Sequence, residues 1–336
     1  MRYPINLLLL CLTLVVSIPV WSASLEEIQS AAQRGDAKSQ YELAQLYESG
    51  RKGLKQDYAK AAEWYRKAAD QGYVHAQTNL GNLYRSGRGV EQDYAEALRL
   101  YHEAASGKDT KAQINIGGMY LEGKGVEKNA DEALRWMRQA AEQGDTQAMN
   151  HLGSLYLTGH EVPKDEQEAA KWFRTAANQG DAVGQNNLGL AYYFGNGVEK
   201  DLATSVQWQR KAADQGYAPA QYSLGLRYAK GQGVPKDYAE AAMWYRKAAK
   251  QGHAGAQNNV GLLYRKGQGV DQDYAEALRW FGKAAKAGFP PAQYNLGNMY
   301  LKGQGVAKDP GKAREWFQKA ADQGHKGAKK ALDKMG

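Results

Sequence analysis

Residues 73–108 read YVHAQTNLGNLYRSGRGVEQDYAEALRLYHEAASGK, and the fold follows from how this stretch is read. Ala76, Leu80, Leu83 and Tyr84 fall at helical spacing on one face, so its first half is a helix, here called A. Gly81 sits inside that helix at a propensity cost of roughly 1 kcal/mol relative to Ala, which fits a point where a paired helix crosses at close range. Gly87, Gly89 and Val90 break the helix. Asp93 then opens a second helix, B, with Glu96 three positions on in the arrangement of a capping box. Helix B carries Ala97, Tyr101, Ala104 and Ala105 and stops at Gly107. Neither helix is long enough to stand alone in water.

A shift of 36 residues superimposes the chain on itself, carrying Gln77 to Gln113 and eventually to Gln293. The copies run over 36–72, 73–108, 109–144, 145–180, 181–216, 217–252, 253–288 and 289–324, with a partial unit or cap at 24–35 and another at 325–336. The central glycine recurs as Gly117, Gly153, Gly189, Gly225, Gly261 and Gly297, with Ala44 in the first copy. Helix B caps recur as Asp57, Asn129, Asp165, Asp201, Asp237, Asp273 and Asp309, and most copies carry an aromatic pair such as Trp64-Tyr65 or Trp244-Tyr245. A hairpin with an apolar side must bury it against the next hairpin. The expected fold is therefore all-α, an α/α superhelical solenoid of sixteen repeat helices with no strand.

Arg2, the apolar run from Leu7 to Val20 and the small residues Ser22-Ala23-Ser24 read as a secretory signal peptide over 1–23, with cleavage at 22–24. The alternatives are a buried first helix or a retained anchor. The run is shorter than the ~20 apolar residues of a full span and lacks a basic stop-transfer cluster, which favours cleavage. The single cysteine, Cys11, lies inside this segment, so the mature chain holds no disulfide. The net charge of +8 comes from 44 basic and 36 acidic residues that alternate along the chain, which argues against a nucleic-acid track.

A unit reading Ala-x-x-x-Leu-Gly-x-x-Tyr, Gly-x-Gly-Val-x-x-Asp and Ala-x-x-Trp-Tyr/Phe-x-x-Ala-Ala-x-x-Gly resembles the Sel1-like repeat, a relative of the tetratricopeptide repeat, over residues 36–324. The resemblance implies that helix A lines an inner surface and helix B an outer one, and that the protein acts as an adaptor or scaffold. Secreted bacterial members that the chain resembles include host-interaction and virulence-associated proteins, and others act in envelope assembly. The departures are local: His160-Glu161 stands in the place of Gly-x-Gly, Asn129-Ala130 of Asp-Tyr, Gln209 of the aromatic after Trp208, and Gly184 of an alanine.

Of the six histidines only His253 and His325 share a phase of the repeat, and none has an acidic neighbour placed for catalysis. His160, Glu161 and Asp165 make the nearest approach to a metal set and read as a solvated loop. No catalytic residue, cofactor or metal is expected, and a hydrolase would need a cluster the sequence does not supply. If helix A packs as the resemblance implies, Leu190, Tyr193, Phe194, Tyr222, Leu226 and Leu262 form an apolar groove patch bordered by Lys230, Lys266 and Lys302. A frame shift of one position would turn the same residues into inter-repeat core. The expectation is a non-enzymatic, exported scaffold in the periplasm or outside a bacterial cell. It holds a protein partner in that groove, with no nucleic acid and no membrane span after cleavage. The alternative is an envelope assembly factor that organises polysaccharide or surface-structure machinery.

Overall fold

The computed structural model describes residues 23–335, so the signal segment, up to Ser22, lies outside the described residues. Contacts divide the chain into two units, one ending at Ala112 and one beginning at Gln113. The first holds α1 (Leu25–Gln33), α2 (Ala37–Ser49), α3 (Tyr58–Ala69), α4 (Val74–Ser86), α5 (Tyr94–Ser106) and the first turn of α6 (Thr110–Glu122). The second continues through α7 (Ala130–Glu142), α8 (Thr146–Thr158), α9 (Glu166–Asn178), α10 (Ala182–Phe194), α11 (Leu202–Asp214) and α12 (Ala218–Lys230). It ends with α13 (Tyr238–Lys250), α14 (Ala254–Lys266), α15 (Tyr274–Lys286), α16 (Pro290–Lys302), α17 (Pro310–Asp322) and α18 (Lys326–Asp333). The described residues thus form 18 helices and no strand, in repeated pairs within each unit.

The local signals do what their chemistry requires. Each of the eight B helices is capped by its Asp or Asn, whose side chain accepts the N–H three residues on, as Asp57 does from Lys60 and Asn129 from Glu132. At α5 the carboxylate of Glu96 pairs with Arg99 instead of returning to the cap. A reciprocal box forms at α1, between Ser24 and Glu27.

Within each hairpin the two helices touch where the central glycine meets a large side chain of helix B. A Cβ on Gly153 would stand 2.5 Å from Phe173 Cε1, and one on Gly225 would stand 2.5 Å from Tyr245 Cδ1. The glycines of the A–B corner have a second duty that periodicity did not reveal. Gly197, at φ +68°, brings the corner so close to the start of α9 that a Cβ would lie 1.8 Å from the Glu166 carbonyl oxygen. Glu161 stands at the equivalent place one repeat earlier. Among the described residues only Lys52 and Lys108 combine a side chain with positive φ, so the corner at Glu161 takes another path, and its carboxylate pairs with Lys128 at 2.6 Å.

Neighbouring hairpins are joined by a column of buried glutamines. Gln185, Gln221, Gln257 and Gln293 donate to the carbonyls of Ala177, Ala213, Ala249 and Ala285. Gln215, Gln251 and Gln323 donate in turn to the side chains of Gln185, Gln221 and Gln293. Gln257 Oε1 has no partner, because Ala287 occupies the place of the donor. Recurrent polar residues in this core are thus bonded wherever the repeat supplies both members.

Candidate protein-binding face

The sequence reading placed nine residues on one face of α10, α12, α14 and α16. Phe194, at the end of α10, is 62% exposed, the highest value for a large apolar side chain among the described residues. Its ring meets Tyr193 edge-on at 4.8 Å and 81°. Phe194 and the half-buried Leu190 line a cleft of about 180 Å³ whose other walls include Leu157, Phe173 and Asn187. Lys230, Lys266 and Lys302 stand exposed in the last turns of α12, α14 and α16, and none forms an ion pair with a described residue.

Tyr222 is differently placed. Its ring stacks on the imidazole of His253 at 4.4 Å and 28° and lies 5.9 Å from Tyr245, and burial pushes its phenol up. Tyr294 does the same with His325 and Phe317, and Tyr41 packs against Tyr65 and Tyr73. This column therefore serves the joint between hairpins while showing one edge outside. Leu226 and Leu262 are half-buried against the cores around Tyr245 and Phe281. Among the nine, the structure brings Leu190, Tyr193 and Phe194 together, while Tyr222, Leu226 and Leu262 share their area with the framework.

Three residues beneath this face were missed as a group. Gln209 and Arg227 stand 18 residues apart, in the columns that Tyr65 and Leu83, Tyr245 and Leu263, and Phe281 and Met299 fill with apolar pairs inside single cores. Ser205 stands where other B helices have a buried alanine such as Ala169 or Ala241. Arg227 is 5% exposed, and Gln209 and Ser205 are 0% exposed. Arg227 Nε donates to Gln209 Oε1 at 3.3 Å and its Nη1 donates to Gln232 Oε1 at 3.0 Å. The guanidinium carbon lies 3.4 Å from the centre of the Tyr193 ring, and the Tyr193 hydroxyl donates to Gln232 at 3.2 Å. Hydrogen bonding from Arg227, joined by its charge and that of Lys230, holds the Tyr193 phenol below its ordinary range. The signal for this cluster was a pair of polar departures in facing columns, of which only Gln209 was noted.

Among the described residues no group of three potential metal ligands is found, and no helix is long and apolar enough to cross a membrane. The Sel1 repeat family model matches residues 37–73, 74–109, 110–145, 146–181, 182–217, 218–253, 254–289 and 290–325. The chain belongs to the Sel1-repeat family. A solved Sel1 repeat protein from Oxalobacter formigenes is 34% identical to it, with a TM-score of 0.73, over 93% of this chain and 90% of that one. A protective antigen of uropathogenic Escherichia coli strains, displaying the same repeat fold, is 38% identical with a TM-score of 0.70, over 94% of this chain and 67% of that one. A component of an ERAD-associated E3 ubiquitin-protein ligase from Arabidopsis thaliana is 36% identical over 62 residues, 18% of this Sel1-repeat chain and 9% of its own length.

Proposed function

We propose that this Sel1-repeat protein is an exported, non-enzymatic scaffold that holds another protein on the exposed face of its A helices. The observation that carries the reading is Phe194, a large ring left 62% exposed beside an apolar cleft, with unpaired lysines at the ends of α12, α14 and α16. Exposed rings of this kind anchor protein partners, because they bury a large apolar area for the loss of two torsions. The lysine row selects an apolar element flanked by Asp or Glu, and gives association a rate that falls as salt rises. Export rests on the signal-like segment, and places the partner in the periplasm or outside the cell.

The test is a crosslinking capture from intact cells and from host fluid, followed by affinity measurements with Phe194→Ala. Truncating an anchor of this size costs roughly 2 kcal/mol or more of binding energy. Phe194 is so exposed that its loss should leave the thermal midpoint nearly unchanged. A captured partner that binds the variant as tightly as the native protein would dismiss this face as the binding surface. Tyr222 and Leu226 are poorer probes, since their truncation also opens the joint beneath them.

A further inference from the structure

Arg227 is a cation inside a helical core that offers it no carboxylate. The described ion pairs do not include it, and its neighbours are two amides and an aromatic ring. Burying a charge without a counter-ion is strongly unfavourable, and the same column is filled at no such cost by Leu83, Leu263 and Met299 elsewhere in the chain. The surroundings are also unfinished. Gln209 Nε2 and Ser205 Oγ are buried without partners. Arg227 has only donors, so it fixes the Gln209 amide with its oxygen inward and its NH2 group unused. One hairpin joint therefore holds a buried cation, an unused amide donor and an unused hydroxyl. The glutamine column of the same joints is bonded by contrast, Gln185 to Ala177 and Gln215, and Gln221 to Ala213 and Gln251.

We propose that Arg227 and Gln209 form a carboxylate-binding subsite of the partner face, covered in the free protein by Tyr193 and Gln232. A carboxylate supplies what the cluster lacks. It offers acceptors to the guanidinium fork, and a further lone pair within the reach of an amide donor beside it. Tyr193 and Gln232 are half-buried surface residues, one at the end of α10 and one in the corner after α12, so moving them aside exposes the cation without disturbing a helix. Lys230, one turn beyond Arg227, adds positive potential at the entrance. The subsite rests on the scaffold reading, because the carboxylate belongs to the bound protein, as an Asp or Glu side chain or as its chain terminus.

The experiment uses the whole mature protein with isotopically labelled arginine and follows the Arg227 Nε–H resonance, assigned by its loss in Arg227→Leu. Sodium acetate is titrated against sodium chloride at equal ionic strength. The expected result is a saturable shift of that resonance with acetate and none with chloride; Arg227→Lys, which keeps the charge and loses the fork and the resonance with it, is read through the peptide affinities that follow, and should weaken them. Short apolar peptides then separate the sources: one with a free terminus against its amide, and an amidated one carrying Asp against its Asn counterpart. The productive member of each pair should bind about tenfold more weakly, or worse, to Arg227→Leu. If Arg227→Leu folds poorly, Gln209→Tyr with Arg227→Leu rebuilds the apolar pair of the other repeats and serves in its place. Identical responses to acetate and chloride, or peptide affinities indifferent to Arg227, overturn the subsite. Phe194→Ala is measured in parallel: a partner that needs Phe194 while acetate leaves Arg227 unmoved would retain the scaffold and remove only the subsite.

Discussion

The buried cation makes a prediction about stability that needs no partner. Replacing Gln209 by Tyr and Arg227 by Leu together gives this joint the pair that Tyr245 and Leu263 form inside one core. The floor is already prepared: Gly189 faces Gln209 across the crossing, as Gly225 faces Tyr245, so the ring enters space that other hairpins use for a ring. Exchange of a buried charged cluster for packed apolar side chains is worth about 1–4 kcal/mol, and removing an orphaned amide donor adds about 1–3 kcal/mol. These terms overlap, and the new side chains must repack around Tyr193, so a gain of about 2–4 kcal/mol is expected. Each single change should do worse. Gln209→Tyr alone strips Arg227 Nε of its acceptor, and Arg227→Leu alone leaves both ends of the Gln209 amide unpaired. The two substitutions should therefore couple by about 1–3 kcal/mol. Urea unfolding followed by helical dichroism gives the totals. Hydrogen exchange across α11 and α12 assigns them to the joint, which matters because repeat arrays can open unit by unit. A double variant less stable than the native protein would refute the view that this cation is held against the preference of the core.

Other consequences are shorter. Gly197→Ala forces a Cβ to within 1.8 Å of the Glu166 carbonyl oxygen at a positive φ, and should lower stability by roughly 3 kcal/mol or more in a denaturant titration. His253 caps α14 by accepting the Ala256 N–H at Nδ1, and burial holds its imidazole below the ordinary range. The folded state therefore favours neutral His253. Its contribution is complete above the unfolded value near 6.5 and is lost as pH falls below that toward the folded one. A melting curve series should show this loss and its reduction in His253→Asp, which keeps the cap by the means Asp181 uses. Ser24 closes the box at the start of α1, so amino-terminal sequencing of exported protein should find Ala23 or Ser24 first; a start at Leu25 would forfeit a cap worth about 1 kcal/mol.

The hairpin was legible because several independent signals fall on the same residues. Asp93 is at once the end of a glycine corner, the start of an apolar periodicity and a good acceptor for a free N–H, and the equivalent residue caps every B helix. Gly153 likewise announces a close crossing, because a helix interior tolerates glycine at a cost only when something occupies the missing methyl's space. Periodicity was weaker where one residue serves two surfaces. Tyr222 alternates between core and groove according to a rotation smaller than the spacing of neighbouring side chains, and only the stacking on His253 decides how much of it the joint claims.

The subsite was hidden for a different reason. A repeat trains the reader on the consensus, against which Gln209 looks like one more tolerated departure and Arg227 like one more surface cation among many. Their meaning lies in the pairing of columns 18 residues apart, which belong to different repeats and face each other only after stacking. Within one helix Arg227 follows Leu226 with no pattern to mark it as inward. Once Tyr65 with Leu83 and Phe281 with Met299 are seen to share their cores, the polar pair occupies the inside of the array by the same geometry. A chain under selection for stability alone had an apolar answer available, the one that Tyr65 with Leu83, Tyr245 with Leu263 and Phe281 with Met299 give. The proposed subsite accounts for a charge standing here, beside Phe194 and the lysines of the proposed partner face, as stability given up for recognition.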